Sequence, residues 1–159
     1  MRIATPFGAL RIDGTDAAVT AVVWDDGPLD DDGAAAVRTA AAQLTEYFAG
    51  DRRQFDVAVA LDELGGFQRK VLDLTAAIPY GRTRAYGELA ADLGEPGLVR
   101  AVGGALKHNP VAVIVPCHRV VAASGALTGY GGGPTSGGRL DVKRALLEIE
   151  QGALQQSLF

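Results

Sequence analysis

The chain has 159 residues, 48% of them hydrophobic, with 1 Cys, 2 His and a net charge of −4. That length can bury a sizeable core as one domain or two small ones. A single cysteine excludes an internal disulfide and, with so few histidines, a thiolate-rich zinc site, so neither metal nor cofactor is expected.

A free thiol that must stay reactive suits a reducing compartment. The segment Met1-Arg2-Ile3-Ala4-Thr5-Pro6 has no apolar signal core and no run reaches membrane-spanning length, so a cytoplasmic protein with no membrane partner is expected. The charge is unevenly divided. Residues 1–66 carry 5 Arg against 12 Asp or Glu, net −7, whereas residues 67–159 carry 10 Lys or Arg against 7 Asp or Glu, net +3. Such asymmetry points to separate roles for the halves. A surplus of that size would attract nucleic acid only moderately and in a salt-sensitive way.

Taken in order, Ile3 to Val23 reads as strands: Leu10-Arg11-Ile12 alternates, Gly14-Thr15-Asp16 is a turn, and Val19 to Trp24 is rich in β-formers. Asp30-Asp31-Asp32-Gly33 lacks calcium-loop spacing and reads as a solvated cap and turn. Ala34 to Phe48 predicts a helix with Val37, Ala41, Leu44 and Phe48 on one face, ended by Gly50. Phe55 to Leu61 alternates as a further strand. Residues 1–62 thus form a small α/β domain, with no residue that calls for a catalytic role, and are expected to support the second half. Residues 63–66 are the linker, 67–152 a second domain and 153–159 a tail.

A helix opens at Gly66-Phe67-Gln68 and runs to about Ala77. Ile78 to Arg82 is a turn, and Thr83 is a plausible cap for the next element. Tyr86 to Gly94 predicts a short helix, Glu95-Pro96-Gly97 a turn, and Leu98 to His108 a second helix. Helix, glycine-containing turn and helix is the helix-turn-helix order, although an ordinary helical hairpin reads the same. The second helix carries Ala101, Gly103, Gly104 and Ala105. Each internal glycine costs roughly 1 kcal/mol, which is tolerable if the helix must approach a backbone closely.

The chemistry gathers in Val113-Ile114-Val115-Pro116-Cys117-His118-Arg119-Val120-Val121. Strand propensity is high on both sides of Pro116, so a buried turn presenting one thiol is expected. A thiol becomes a good nucleophile beside a base or in a positive field. His118 is adjacent to Cys117 but points elsewhere on an extended chain, so water would carry the proton between them. Residues 131–138 form a glycine-rich loop without the Gly-Lys-Ser/Thr ending of a phosphate cradle. Leu140 to Glu150 closes the domain as a helix with Val142, Leu146 and Ile149 on its apolar face.

Pro116-Cys117-His118-Arg119-Val120, preceded by Asn109-Pro110 at the matching distance, resembles the active-site signature of the O6-alkylguanine-DNA alkyltransferases. These suicide repair proteins move an alkyl group from damaged DNA to their own cysteine. The resemblance runs from Phe67 to Glu150 and is weaker around Glu46-Tyr47-Phe48-Ala49-Gly50. It implies an α/β fold: a small N-terminal domain of RNase H-like sheet plus helix, then a mainly helical domain whose helix-turn-helix enters the minor groove.

The same resemblance implies roles by position. Cys117 is the nucleophile, His118 takes its proton through water, and Glu150 orients His118, with Glu148 as the fallback. Tyr86 donates a proton towards the departing guanine, and Asn109 orders the active-site turn. Arg100 fills the space left by the extruded nucleotide, and Ala101, Gly103, Gly104 and Lys107 meet DNA with Tyr86. Val120, Tyr130, Gly131 and Lys143 line the base pocket. The implied partner is double-stranded DNA containing alkylated bases, bound by a monomer. The implied reaction is irreversible transfer from O6-alkylguanine, with O4-alkylthymine a second candidate substrate.

Two departures stand out. Leu72 replaces a frequent tryptophan, and the segment from Tyr130 to Lys143 carries about six additional residues. The competing readings are a non-catalytic lesion sensor, which would lack the cysteine, and a Cys-His hydrolase, which gives no reason for the helix-turn-helix.

Overall fold

Three antiparallel strands, β1 (Arg2–Thr5), β2 (Gly8–Gly14) and β3 (Val19–Trp24), form a sheet in the order β1-β2-β3. The computed structural model describes residues 1–130 and 139–156, with side chains through Gly152. Alternation puts Leu10 and Ile12 of β2 and Val19, Val22 and Trp24 of β3 in the core. Helix α1 (Ala35–Phe48) packs on this sheet through Val37, Ala40, Ala41 and Leu44. Tyr47 is fully buried, while its neighbour Phe48 is only partly so. Gly50 adopts φ 84° beyond the helix end, a conformation that glycine reaches at least cost.

The strand expected over Phe55–Leu61 does not form. A single bridge joins Val59 to Val19, with Val19 N–H donating to Ala58 C=O at 2.9 Å and Ala60 N–H to Val19 C=O at 2.9 Å. The free edge of β3 is shared. Three residues further along, Val22 N–H donates to Pro110 C=O at 2.8 Å and Ala112 N–H to Val22 C=O at 3.0 Å. One edge serving two partners leaves neither a full ladder, and the second partner is the segment that leads to Cys117.

Helix α2 (Gly66–Ala76) buries Val71, Leu72 and Thr75; Leu72 is wholly enclosed, so it does fill core space. A two-residue strand, β4 (Arg84–Ala85), precedes α3 (Tyr86–Asp92). Thr83 is not the cap. Ala85 occupies that position, and Glu88 reaches back to accept its N–H at 2.6 Å, the half of a capping box that does not need a cap side chain. Gly94, at φ 81°, turns the chain through a 3₁₀ turn (Pro96–Leu98) into α4 (Val99–Lys107), which packs against both α2 and α3. Leu98 therefore belongs to the turn. Strand β5 (Val120–Val121) pairs in parallel with β4. Helix α5 (Leu140–Gln156) runs past Glu150 into the segment expected to be a tail; Val142 and Leu146 are enclosed, and Ile149 is half-buried.

A buried turn forms before Cys117, as expected, and despite their strand propensity Val113 and Ile114 belong to it. Val113 sits at φ 70°, left-handed backbone that a β-branched residue rarely adopts and that costs about 1–3 kcal/mol. Cys117–Arg119 then forms one 3₁₀ turn, so Cys117 and His118 do not lie on extended chain. One buried hydrophobic cluster links both halves, from Leu10 and Tyr47 through Val71 and Cys117 to Leu146.

Candidate active site

Asn109 explains how the strained turn is held. Its amide nitrogen donates to Val115 C=O at 2.9 Å and its amide oxygen accepts Val111 N–H at 3.0 Å. The side chain, 2% exposed, straps the turn on both sides of Val113 and delivers Cys117 into the core at 5% exposure. Burial pushes the thiol up from its ordinary value; the Asn109 amide, the charge of Lys143 and the N–H groups of Cys117 and His118 pull the other way without overcoming it. Cys117 is therefore held as a thiol.

The next residue, His118, is held by Glu150. Its fully buried carboxylate takes His118 Nε2–H at 2.7 Å and the Tyr47 hydroxyl at 2.8 Å on Oε1. Arg119 donates to both oxygens, from Nε at 3.2 and 3.0 Å and from Nη2 at 3.0 Å. The N–H of Gly81 reaches Oε2 at 3.2 Å. Burial alone would raise this carboxyl, but the bonds from His118 and Arg119 outweigh it and hold it down at about 2. An ionised carboxylate only accepts, so His118 carries its proton on Nε2. Nδ1 is then the basic nitrogen, and it is buried without a hydrogen-bond partner among the described residues. Burial also lowers the imidazole from its ordinary value, keeping it neutral and ready to accept.

A second cluster surrounds Lys143, which is 1% exposed. Its Nζ donates to Val120 C=O at 2.7 Å, Gly129 C=O at 3.1 Å, Thr128 C=O at 3.4 Å and the Tyr86 hydroxyl at 3.2 Å. The Tyr86 hydroxyl in turn donates to Thr128 C=O at 2.8 Å. Tyr86 is therefore engaged within the protein, and so is the Val120 carbonyl. Tyr130 is buried, and its hydroxyl accepts from Trp24 Nε1 at 3.3 Å. Arg139 stacks over Trp24 at 5.2 Å and donates to Phe7 C=O at 2.6 Å. Gly131 and the rest of 131–138 lie outside the described residues.

The remaining candidates form an outward face of α4. Arg100, Ala101, Gly104 and Lys107 are exposed, and Gly103 is half-buried. A side-chain carbon at Gly103 or Gly104 would meet no protein atom within 4 Å. Packing inside the chain does not require these glycines; the space they leave is on the outside. A groove of about 440 Å³ between the start of α2 and α4 is lined by Phe67, Gln68, Ala101, Gly104 and His108, apart from Cys117.

The structure brings Cys117, His118, Glu150 and Asn109 to one place and leaves Glu148 exposed on another face of α5. Two contributors were not assigned from the sequence. Arg119 carried a signal, since a cation inside an apolar run needs a buried anion. Tyr47 carried none, because a core aromatic on a helix face looks the same whether or not its hydroxyl has work to do.

Removing one partner of a buried ion pair leaves the other uncompensated. Arg119→Met should therefore destabilise the fold by about 3 to 5 kcal/mol in urea unfolding; a loss below about 1 kcal/mol, the value of a surface pair, would show that Arg119 is not the counter-ion. Acid should act on the same group. The folded carboxyl titrates at about 2 against an ordinary 4.5. Its stabilising contribution is present above the higher value and drains away as pH falls towards the lower one. Acid titration of the wild type should show that loss, and Glu150→Gln should lack it.

Residues 66–152 match the family model described as 6-O-methylguanine DNA methyltransferase, DNA binding domain. The chain is 54% identical over 109 residues to the methylated-DNA–protein-cysteine methyltransferase of Mycobacterium bovis, covering 69% of this chain and 62% of that relative's length. It is 44% identical over 160 residues to the protein of that name from Mycolicibacterium paratuberculosis, covering 92% and 88%. The crystal structure of Mycobacterium tuberculosis OGT in complex with DNA superposes with a TM-score of 0.82 at 43% identity, covering 96% of this chain and 92% of that one.

Proposed function

This chain belongs to the 6-O-methylguanine DNA methyltransferase family, and on that premise we propose that it repairs DNA by moving an alkyl group from O6 of guanine to its own Cys117. The observation that carries the reading is the buried Glu150–His118 pair, which leaves Nδ1 of a neutral imidazole unpartnered in the core beside the thiol's own turn.

The step balances as a displacement at carbon. His118 Nδ1 takes the Cys117 proton through water, and the sulfur lone pair attacks the alkyl carbon. The S–C bond forms as the C–O6 bond breaks, and the electron pair leaves with guanine. Tyr86 supplies the proton that neutralises the departing base, turning its hydroxyl from Thr128 C=O; Lys143, already donating to that hydroxyl oxygen, stabilises the phenolate left behind. Val120 and Tyr130 complete the base pocket with Lys143.

The target carbon cannot be reached inside a duplex, so the nucleotide must be extruded at a cost of a few kcal/mol. Residues 86–107 serve as the helix-turn-helix. Ala101, Gly103 and Gly104 allow α4 into a narrow groove, Arg100 occupies the vacated space, and Lys107 meets phosphate. The open space outside the two glycines supports this assignment. Residues 1–62 form the supporting domain and 67–152 the reactive one, in a cytoplasmic protein acting as a monomer on double-stranded DNA.

A thioether is a poor leaving group, and the chain holds no second thiol to accept the alkyl group. Excess methylated duplex should give a burst ending near a single methyl per chain, located on Cys117 by intact and peptide mass. Continued product formation well beyond the protein concentration would overturn the suicide mechanism. Arg100→Ala should slow repair of duplex DNA about tenfold or more while leaving transfer from free O6-benzylguanine nearly unchanged, since a finger residue acts on extrusion, whose cost is a few kcal/mol. An equal fall on both substrates would give Arg100 another role.

A further inference from the structure

A side chain of the N-terminal half reaches the relay directly. Tyr47, on α1, is fully buried, and its hydroxyl lies 2.8 Å from Glu150 Oε1 and 3.5 Å from His118 Nε2. Its ring is wedged between Phe48, Phe55 and Tyr80, with centroids 5.3, 5.6 and 6.2 Å away, so the hydroxyl has little freedom to turn elsewhere. No other hydrogen bond links α1 to the carboxylate among the described residues. We propose that Tyr47 is a positioning residue for the alkyl-transfer reaction: its hydroxyl donates to the oxygen that orients His118 and thereby sets how strongly Glu150 attracts the imidazole proton. This rests on the reading of Cys117, His118 and Glu150 as the reacting relay.

The direction of donation follows from the charges. Glu150 is ionised and can only accept, and the phenol keeps its proton because burial and the neighbouring carboxylate both raise it. Each donor on a carboxylate disperses its charge and weakens it as a base. With Tyr47 in place, Glu150 holds the tautomer of His118 without pulling it into the imidazolium form at rest. Without the hydroxyl the carboxylate is more basic, imidazolium is favoured, and the neutral acceptor needed by Cys117 is depleted from the acid side. Among the described residues, the charged groups acting on His118 besides Glu150 are Arg119 on its own turn and Lys143 on the same helix as Glu150; Cys117 is its chain neighbour, and Tyr80, with Arg53 over its ring, lies beside Tyr47 and Glu150. Tyr47→Phe leaves all of them in place.

The phenol also explains why the relay spans the chain. Glu150 and Tyr47 are 103 residues apart, so the geometry of the base depends on α1 being docked. The first half then acts on the chemistry itself through the Tyr47 hydroxyl.

The test is single-turnover benzyl transfer from free O6-benzylguanine to the full-length protein from pH 5 to 9, read by intact mass. The free base removes DNA binding and extrusion from the measurement. Tyr47→Phe should be slowed about tenfold at neutral pH, the size expected for loss of one hydrogen bond to a charged group, and its acid limb should move to higher pH. Phe55→Leu, which loosens the ring's packing and keeps the hydroxyl, should lower thermal stability without moving that limb. Fluorotyrosine at position 47, a stronger donor of nearly the same shape, should move the limb the opposite way and serves if Tyr47→Phe does not fold. A folded Tyr47→Phe or fluorotyrosine protein with the wild-type limb overturns the proposal while the alkyl-transfer reading stands. A wild type that takes up no benzyl group on Cys117 overturns both.

Discussion

A fully buried carboxylate is the constraint on which the site depends. Glu150 is stable in the core only because Arg119 supplies the opposite charge and His118, Tyr47 and Gly81 supply further donors. These donors come from α1, the turn after α2 and the 3₁₀ turn at Cys117, while α5 hosts the carboxylate. Satisfying the charge therefore locks those elements together. The same bonds fix the imidazole tautomer and leave Nδ1 as the basic nitrogen. Core stability and the tautomer of His118 are set by one group, and neither can be tuned without touching the other.

The turn that carries Cys117 is held by a different device. Val113 occupies left-handed backbone at φ 70°, and Asn109 offsets that cost with hydrogen bonds on both flanks. The backbone of this segment also pairs with Val22, which ties the thiol to the N-terminal sheet. Lys143 performs a comparable task, gathering the carbonyls of Val120, Thr128 and Gly129 with the Tyr86 hydroxyl. A buried cation with four oxygen partners is a structural clamp as well as a source of positive field for the thiol.

The outward face of α4 has the opposite character. Gly103 and Gly104 weaken the helix and fill no space within the chain, since a side-chain carbon there would meet nothing. A sequence that accepts the helix cost of two adjacent glycines gains no packing from them within the chain, and the space they leave faces outward.

Much of the fold and the site was legible in the order of residues. The apolar periodicity of Ala34–Phe48 and Leu140–Glu150 located α1 and the core of α5, and the Pro-Cys-His-Arg-Val string with Asn109 located the turn and its residues. Local features misled where the decision lay elsewhere. Phe55–Leu61 alternates like a strand, but β3 had only one edge to share and gave half of it to Pro110 and Ala112. Val113-Ile114-Val115 has high strand propensity, but Asn109 and the buried position of Cys117 overrode it. Thr83 could cap a helix, but β4 pairs with β5 over Arg84–Ala85, which puts Ala85 at the cap of the helix expected from Tyr86. The sequence by itself determined the charge difference between the halves and singled out Cys117 and His118 as candidates for nucleophile and base, because charge, residue type and short motifs are local properties. Only the tertiary structure decided that Tyr47 and Arg119 share the carboxylate with His118. Hydrogen bonds between residues 103 positions apart leave no trace in local pattern and exist only once the core has closed.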